Sequence, residues 1–255
     1  MPISISQLPV LSDNYIYILR DDNADLTAVV DPAETAPVVD FLKEKKWSLN
    51  FVINTHHHWD HVGGNLELKK KYGAKIVGPR QDAERIPGID ESLGDGDTFV
   101  FGSDQARVFD TPGHTKGHIV YYFENSRALF CGDTLFSLGC GRLFEGTPNQ
   151  MWKSLSKLKD LPSDTLVYCA HEYTQANGEF ALTVDPKNLE LQAMVRDIAE
   201  KRQNQKPTVP SVLGDEFECN PFLRADQHSI REALGKPTAS DVEVFAEIRK
   251  RKDNF

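Results

Sequence analysis

The chain has 255 residues, which is long enough for one large domain or for a main domain with a smaller companion. Its 40% hydrophobic and 26% charged residues are typical of an ordinary globular protein and argue against disorder. Because 38 acidic residues outnumber 29 basic ones, the net charge of -9 disfavours general binding to nucleic acid or to an anionic membrane. An anionic small-molecule substrate would need a local group of basic side chains.

The N-terminal stretch "MPISISQLPVLSDNYIYILR" has no basic leader before an apolar run, and no run approaches the ~20 apolar residues of a membrane span. The four cysteines are scattered without a C-x-x-C pair, a pattern that favours reduced, partly buried thiols. We therefore expect a cytoplasmic protein with no membrane partner. Monomer is the default expectation for its oligomeric state.

The first two thirds of the chain alternates short β-rich runs with helical patterns, which is typical of an α/β fold. Strands are predicted for "NYIYILR", "LTAVVD", "NFVINT", "AKIVG", "DTFVFG", "ARVFDT", "HIVYYF", "ALFCGD" and "TLVYCA". Helices are predicted for "TAPVVDFLKEKK" and "GTPNQMWKSLSKLKDL". This alternation predicts a single main domain.

Beyond residue 172 the strand signals stop and the pattern becomes helical. In "VDPKNLELQAMVRDIAEKRQNQ", Asp185 is a candidate N-cap and Pro186 would occupy the first helical position. The proline-rich stretch "PTVPSVLGDEFECNPF" predicts an ordered loop, and an amphipathic helix follows near the end of the chain. We expect a main domain over residues 1–172 and a helical domain over residues 173–255.

The stretch "NTHHHWDHVGGN", residues 54–65, crowds four histidines and an aspartate into six positions after a strand-like run. Sites in α/β folds lie at strand ends, and imidazole with carboxylate suits transition metals. His56 and His58 point the same way in an extended segment because side chains alternate, whereas Asp60 and His61 can turn toward a second point. We expect His57 and Trp59 to face away from the ligands, either as packing residues or as residues that support the ligands from behind.

The same signature recurs, because three more β-type runs end in a residue that can ligate a metal. "ARVFDTPGH" delivers His114, "ALFCGD" delivers Asp133, and "TLVYCAH" delivers His171. Seven ligands are too many for one tetrahedral zinc but suit two metals that share a carboxylate, here Asp133. The first metal would take His56, His58 and His114, and the second would take Asp60, His61 and His171. A water or hydroxide would complete both shells.

Taken together, "THHHWDH", "TPGHTKGH", "FCGDTLF" and "CAHEYT" resemble the metallo-β-lactamase superfamily over residues 1 to about 172. The resemblance implies a four-layer αββα sandwich with a binuclear site at one edge. Because the superfamily includes hydrolases of lactams, thioesters and phosphodiesters as well as enzymes of oxygen chemistry, the metal site by itself does not identify the substrate. Two zinc ions are the first expectation, with iron or manganese as alternatives.

Within the superfamily, "GCGRLFEGTPNQM", "HEYTQAN", "CNPFLR" and "RKRKDNF" resemble the glyoxalase II, or hydroxyacylglutathione hydrolase, family over essentially the full length. The resemblance implies hydrolysis of S-(D-lactoyl)glutathione to D-lactate and glutathione, the second step of methylglyoxal degradation. It implies substrate contacts from Arg142, Phe144, Tyr173, Arg249 and Lys252. Arg142 stands where the family commonly has Lys, and Phe144 lacks the hydroxyl of a Tyr found in some relatives.

The mechanism that we expect is attack on the thioester carbonyl by a hydroxide held between the metals, which lower the pKa of water from about 15.7 toward 7. Asp60 would ligate and orient the nucleophile, and Asp133 would bridge, so these are the expected catalytic residues. The glutathione thiolate can leave unprotonated because its parent thiol has an ordinary pKa of about 8.5.

Three other functions stay open. A persulfide dioxygenase of the same superfamily would use a single iron and glutathione persulfide, and it typically lacks the helical domain. A nucleic-acid-processing member is disfavoured by the net charge of -9. A metal-binding regulatory module without catalysis is disfavoured by the intact ligand set, and thioesterase turnover would exclude it.

Overall fold

The computed structural model describes residues 2–255 and divides into two compact units. The first unit comprises Met1–Asp110 and Lys116–Gly132, and the second comprises Thr111–Thr115 and Asp133–Phe255. Within the described part of the chain, no helix is both long enough and apolar enough to cross a membrane.

The first unit contains ten strands, three short α-helices and a 3-10 turn among its described residues. Its strands are β1 (Ser4–Val10), β2 (Asn14–Asp21), β3 (Leu26–Val30), β4 (Phe51–Ile53), β5 (Lys75–Pro79), β6 (Glu91–Leu93), β7 (Thr98–Phe101), β8 (Asp104–Asp110), β9 (Ile119–Phe123) and β10 (Ala128–Gly132). Its helices are α1 (Thr35–Lys45), α2 (Trp59–Val62) and α3 (Asn65–Tyr72), and Arg80–Arg85 form the 3-10 turn. The sequence predictions missed β1 and β6.

Two sheets form from these strands. The first has the order β1 to β6, antiparallel from β1 to β3 and parallel from β3 to β6, with α1 joining β3 to the parallel β4. In the second, β7, β8, β9 and β10 form an antiparallel meander. Because β3 and β4 are parallel neighbours, the residues that follow them meet at the same edge of the sheet.

Both faces of the first sheet are covered within this unit. One face packs Ile18, Val29 and Val52 against Val38 and Leu42 of α1 in a buried cluster. On the other face, aromatic rings contact the second sheet: Tyr17 with Phe130 at 5.6 Å between ring centroids, and Phe51 with Phe99 at 5.4 Å. Burial of these apolar faces holds the strand ends in place.

The second unit is mainly helical. Its elements are β11 (Leu135–Phe136), β12 (Gly139–Cys140), α4 (Pro148–Leu158), β13 (Leu166–Cys169), α5 (Thr174–Val184), α6 (Leu189–Gln203), β14 (Ser211–Val212), α7 (Leu213–Cys219), α8 (His228–Ala233) and α9 (Asp241–Asp253). Leu138, Ala181, Leu191 and Ile198 form a core between α5 and α6. Helix α9 packs on α4, with Phe245 and Trp152 at 6.2 Å between ring centroids.

Three predictions about this unit are wrong. The sequence predicts no strand beyond residue 172, yet β14 forms there and pairs with β13. Helix α6 is capped by Asn188, whose side chain accepts a hydrogen bond from the N–H of Leu191 at 3.1 Å, rather than by Asp185. The carboxylate of Asp185 instead pairs with Arg224. The proline-rich stretch also contains a helix, α7, because its prolines flank residues 213–219 and none lies inside them.

One buried carboxylate links the first sheet to the turn between β7 and β8. Asp21 accepts hydrogen bonds from the N–H and the hydroxyl of Ser103, each at 2.7 Å, and from the N–H of Ala24 at 3.1 Å. The hydrogen bonds from Ser103 and the bond from Ala24 lower the pKa of Asp21 from 3.8 to about 2. Gly102 has φ +60°, and a Cβ there would lie 2.3 Å from Oδ2 of Asp21, so only glycine fits.

We predict that Asp21→Asn lowers the free energy of unfolding by about 1–3 kcal/mol at pH 7, because Asn accepts fewer hydrogen bonds and carries no charge. The folded-state pKa of Asp21 is depressed, so its stabilisation is present above pH 4 and is lost as the pH falls toward 2. Denaturant unfolding should therefore show the two proteins converging over that range. The exposed Glu44→Gln is the control, and a wild-type advantage that is constant from pH 6 to pH 2 would contradict the assignment.

Candidate functional site

The first ligand-rich segment follows β4 in the first unit. His56 is fully buried, and its Nε2 lies 3.1 Å from Nδ1 of His58. The Nδ1 of His56 contacts the hydroxyl of Thr55 at 3.1 Å, so Nε2 is the nitrogen directed at His58. The ring of His118 stacks on that of His56, with centroids 4.7 Å apart and planes at 21°. These contacts fix the orientation of the His56 ring.

Asp60 and His61 form a second pair of donors in the same unit. Nε2 of His61 lies 3.5 Å from Oδ2 of Asp60, and that oxygen accepts a hydrogen bond from Nδ2 of Asn14 at 3.0 Å. Nδ1 of His61 lies 3.0 Å from Oδ2 of Asp31, a buried residue directly after β3. Asp31 also accepts hydrogen bonds from the N–H and the hydroxyl of Thr55 at 2.8 and 2.7 Å. A carboxylate placed behind a ligating imidazole orients the ring and raises its basicity.

Sequence reasoning did not identify Asp31 or Asn14. The run "LTAVVD" ends in Asp31 just as other strand-like runs end in ligands, so the same signature could have identified it. Asn14 lies 46 residues before Asp60, and no local pattern connects the two.

His57 and Trp59, which alternate with the candidate ligands, differ in how they contact the rest of the protein. His57 packs as predicted, with Nδ1 at 3.0 Å from Oδ2 of Asp82 and Nε2 at 3.1 Å from Nη1 of Arg85. Because the guanidinium can only donate, Nε2 accepts and Nδ1–H donates to Asp82. The prediction that Trp59 packs is wrong, because the residue is 70% exposed.

In the second unit, each oxygen of Asp133 faces one histidine. Nε2 of His114 lies 3.3 Å from Oδ2, and Nε2 of His171 lies 3.4 Å from Oδ1. Nδ1 of His114 donates to the carbonyl of Arg142 at 2.9 Å, which directs Nε2 at Asp133. The ring of His171 stacks on Tyr173 with centroids 4.7 Å apart and planes at 2°. One imidazole therefore faces each oxygen of the Asp133 carboxylate.

The four donor pairs have the spacing of ligands that share a metal. A tetrahedral ion with Zn–N distances of about 2.0–2.1 Å places neighbouring donors about 3.3 Å apart. The observed separations are 3.1, 3.5, 3.3 and 3.4 Å. The histidine and aspartate clusters of each unit therefore fit a divalent metal ion, and nitrogen with carboxylate donors suits zinc, iron and manganese alike.

A pocket of about 670 Å³ in the second unit has His114 and Asp133 in its wall. The same pocket is lined by the five residues predicted to contact the substrate: Arg142, Phe144, Tyr173, Arg249 and Lys252. Its volume is that of a site for a small organic ligand. The structure thus brings these residues to one cavity, and their contacts with a substrate stay predictions.

The basic residues of the pocket have different partners. Arg249 is buried; its Nη1 donates to the carbonyl of Cys140 at 2.8 Å, and its Nη2 lies 2.9 Å from Asp253. Nζ of Lys252, which is half-buried, donates to the carbonyl of Ala176 at 3.0 Å. Arg249 therefore stabilises the pocket wall and also contributes a positive charge to it.

Cys140 lines the pocket but cannot serve as a thiolate nucleophile at neutral pH. Burial raises the pKa of its thiol to about 11, and the adjacent Arg249 offsets only part of this effect. The thiol is therefore protonated at pH 7.

The "CNPFLR" segment holds the hairpin of β11 and β12. Nδ2 of Asn220 donates to the carbonyls of Phe136 and Gly139 at 3.2 and 3.0 Å. Oε2 of the buried Glu216 accepts from the N–H of Leu138 at 2.8 Å and from Asn220 at 3.0 Å, and burial raises the pKa of this carboxyl. The helical part of the chain therefore shapes the pocket wall.

Comparison with known proteins agrees with this site. Residues 10–171 match the model of the metallo-beta-lactamase superfamily, and residues 172–255 match that of the hydroxyacylglutathione hydrolase C-terminus. A hydroxyacylglutathione hydrolase of Methylococcus capsulatus is 54% identical over 253 residues, 99% of each chain. One from Rhodospirillum rubrum is 52% identical with the same coverage.

Solved structures show the same fold. ETHE1 from Myxococcus xanthus aligns with a TM-score of 0.70 at 24% identity, over 97% of this chain and 90% of that one. The BLEG-1 B3 metallo-beta-lactamase aligns with a TM-score of 0.67 at 21% identity, over 86% of this chain and 99% of that one. The predicted α/β metallo-β-lactamase fold with a C-terminal helical region is confirmed. The chain belongs to the hydroxyacylglutathione hydrolase family of the metallo-β-lactamase superfamily.

Proposed function

We propose that this chain hydrolyses the thioester bond of hydroxyacylglutathiones, with S-(D-lactoyl)glutathione giving D-lactate and glutathione in the second step of methylglyoxal degradation. One observation carries the proposal: a single pocket combines two metal-type ligands, His114 and Asp133, with three basic residues, Arg142, Arg249 and Lys252. Full-length identity of 54% to a hydroxyacylglutathione hydrolase supports it. The same identity favours thioester hydrolysis over persulfide or nucleic-acid chemistry.

Two divalent ions, zinc first, are proposed as cofactors, with His56, His58 and His114 on one and Asp60, His61 and His171 on the other. Asp133 is proposed to bridge them, which the approach of one imidazole to each of its two oxygens supports. When bound, such ions supply a nucleophilic hydroxide at neutral pH and polarise the thioester carbonyl.

The protein's own residues prepare the donors for this role. Asn14 holds the Asp60 carboxylate through Oδ2, which is the oxygen that faces His61. Asp31 accepts from Nδ1 of His61 and so keeps the proton off Nε2. His114 is fixed in the same tautomer by the carbonyl of Arg142. A histidine must present a deprotonated nitrogen to a metal, so fixed tautomers favour metal binding.

The basic residues of the pocket are proposed to bind the glutathione tripeptide. Glutathione carries carboxylates, and a protein with a net charge of -9 repels them unless cations are concentrated locally. Arg142 and Lys252 are proposed to supply that local charge, with Tyr173 contacting the peptide portion and Phe144, at 64% exposure, covering the mouth. No acid is required at the leaving group, because a thiolate is stable near neutral pH.

Further proposals complete this function. Residues 1–172 are proposed as the catalytic domain and residues 173–255 as the glutathione-binding domain, a boundary one residue beyond the junction of the two family models. We place the enzyme in the cytoplasm as a monomer, with the glutathione thioester as its partner and with neither nucleic acid nor membrane.

The proposal is tested by steady-state hydrolysis of S-D-lactoylglutathione by the purified protein, beside S-lactoyl-N-acetylcysteamine, a thioester without charge. We expect kcat/KM to favour the glutathione substrate by more than about tenfold, because one charge-assisted contact alone supplies that much. Equal rates for both thioesters would contradict recognition of glutathione, and no turnover by the metal-loaded protein would contradict the function.

We predict that Asp133→Ala reduces the metal content from two ions per chain to one or none and lowers kcat by at least about 100-fold, since bridging places the carboxylate on both ions. Elemental analysis after dialysis measures the metal content per chain, and the thioester assay measures kcat. The exposed Asp160→Ala in the same unit is the control. Two tightly bound ions in Asp133→Ala would rule out bridging.

We predict that Asp31→Asn weakens metal binding by about 10- to 100-fold, because the amide lacks the charge that makes His61 more basic. Competition with a chromogenic chelator measures the affinity of the protein for zinc. Asp22→Asn, at an exposed aspartate of the same unit, should bind as the wild type does. An unchanged affinity in Asp31→Asn would mean that the carboxylate serves folding alone.

A further inference from the structure

The ammonium of Lys252 has an unusual environment for a lysine. Its Nζ lies 5.2 Å from the ring centroid of Phe180 and 5.1 Å from that of Phe255, and it donates to the carbonyl of Ala176 at 3.0 Å. The faces of aromatic rings attract cations, and the carbonyl fixes one of the three N–H donors. The ammonium is therefore held by neutral groups on several sides.

Lys252 keeps its charge available, in contrast to Arg249. Arg249 is neutralised locally by Asp253, whose oxygen lies 2.9 Å from Nη2. Lys252 forms no ion pair within residues 2–255. Burial, and then the nearby charge of Arg249, lower the pKa of Lys252, and the more distant charge of Glu179 opposes this only in part. A carboxylate that entered the pocket would find this ammonium already positioned and not paired with another acid.

Phe255 has two roles in this arrangement. It lines the same pocket as Lys252 and Arg142, and 64% of it is exposed. Its ring also packs against Phe180, with centroids 5.5 Å apart and planes at 66°. Phe180 is buried and stacks on Phe222 at 6.1 Å, so the contact anchors Phe255 to the core of the unit. The sequence pattern singled out the basic run beside it and not this ring.

We propose that Phe255 is a specificity-determining residue: with Phe180 it holds the ammonium of Lys252 at the pocket wall, so that thioesters carrying a carboxylate are selected over uncharged ones. This inference rests on the proposed function. Phe255 acts on the substrate through Lys252, so its effect should be on substrate affinity and should not extend to the chemical step.

The test compares Phe255→Leu, which keeps an apolar side chain but has no aromatic face, with Phe255→Tyr, which keeps the face. With S-D-lactoylglutathione, Phe255→Leu should raise KM about two- to fivefold, the size expected for a lost cation–π contact, without changing kcat. Phe255→Tyr should recover most of the affinity. With S-lactoyl-N-acetylcysteamine, KM should be the same for all three proteins. Leu189→Ala, at an exposed apolar residue outside the pocket, is the matched control.

A second comparison ties the effect to the ammonium. In a Lys252→Met background, Phe255→Leu should raise KM no further, because the cation that the ring holds is already absent. A full additional effect in that background would overturn the proposal, as would an equal loss with Leu and Tyr or an equal loss with the uncharged thioester.

Failure of the inference and failure of the proposed function give different results. An unchanged KM in Phe255→Leu, while the wild type hydrolyses S-D-lactoylglutathione, overturns the inference alone. No hydrolysis by the metal-loaded wild type overturns the proposed function and the inference with it.

Discussion

The carboxylate of Asp133 is the constraint on which the proposed chemistry depends. Its two oxygens lie 3.3 and 3.4 Å from Nε2 of His114 and of His171, so one side chain sets the position of both imidazoles. A carboxylate this deeply buried is costly unless hydrogen bonds or cations compensate it. The proposed pair of divalent ions would provide that compensation. The hairpin of β11 and β12 that follows Asp133 is in turn held by buried side chains of the helical segment.

The pocket of the second unit combines rigid support with available charge. Arg249 forms an ion pair with Asp253 and donates a hydrogen bond to the carbonyl of Cys140, so much of its charge is compensated within the protein. Lys252 is held by rings and a carbonyl, which orient it without neutralising it. This difference explains how a strongly acidic protein can present a positive point to an anionic tripeptide. Burial raises the pKa of the neighbouring Cys140 thiol, which favours its protonated form at neutral pH.

The candidate ligands could be proposed from the sequence because each follows a strand within a few residues or lies in one short motif. His114, Asp133 and His171 come after β8, β10 and β13, where the change from apolar to polar residues is abrupt. The supporting shell could not be read in this way. Asn14 reaches Asp60 and Asp82 reaches His57 across the fold, and only packing brings such pairs together.

The elements of the fold could be predicted from the sequence where the local pattern was strong, and not where they depend on tertiary contacts. Strongly apolar runs such as "HIVYYF" identified buried strands, whereas β1, with mostly half-buried residues, gave too weak an alternation to be recognised. The prolines around α7 concealed a seven-residue helix, and Asp185 resembled a cap because local sequence does not reveal its pairing with Arg224. The exposure of Trp59 likewise depends on tertiary structure. The alternation of side chains indicates which way the ring points, but it does not indicate whether other residues pack there.

The most direct test of this account is a crystal structure of the zinc-loaded protein with anomalous diffraction recorded at the zinc edge. We expect two anomalous peaks about 3.5–4 Å apart, with the carboxylate of Asp133 in contact with both. A single peak, or contact of Asp133 with only one of two ions, would contradict the bridging role of Asp133 and the binuclear chemistry that depends on it.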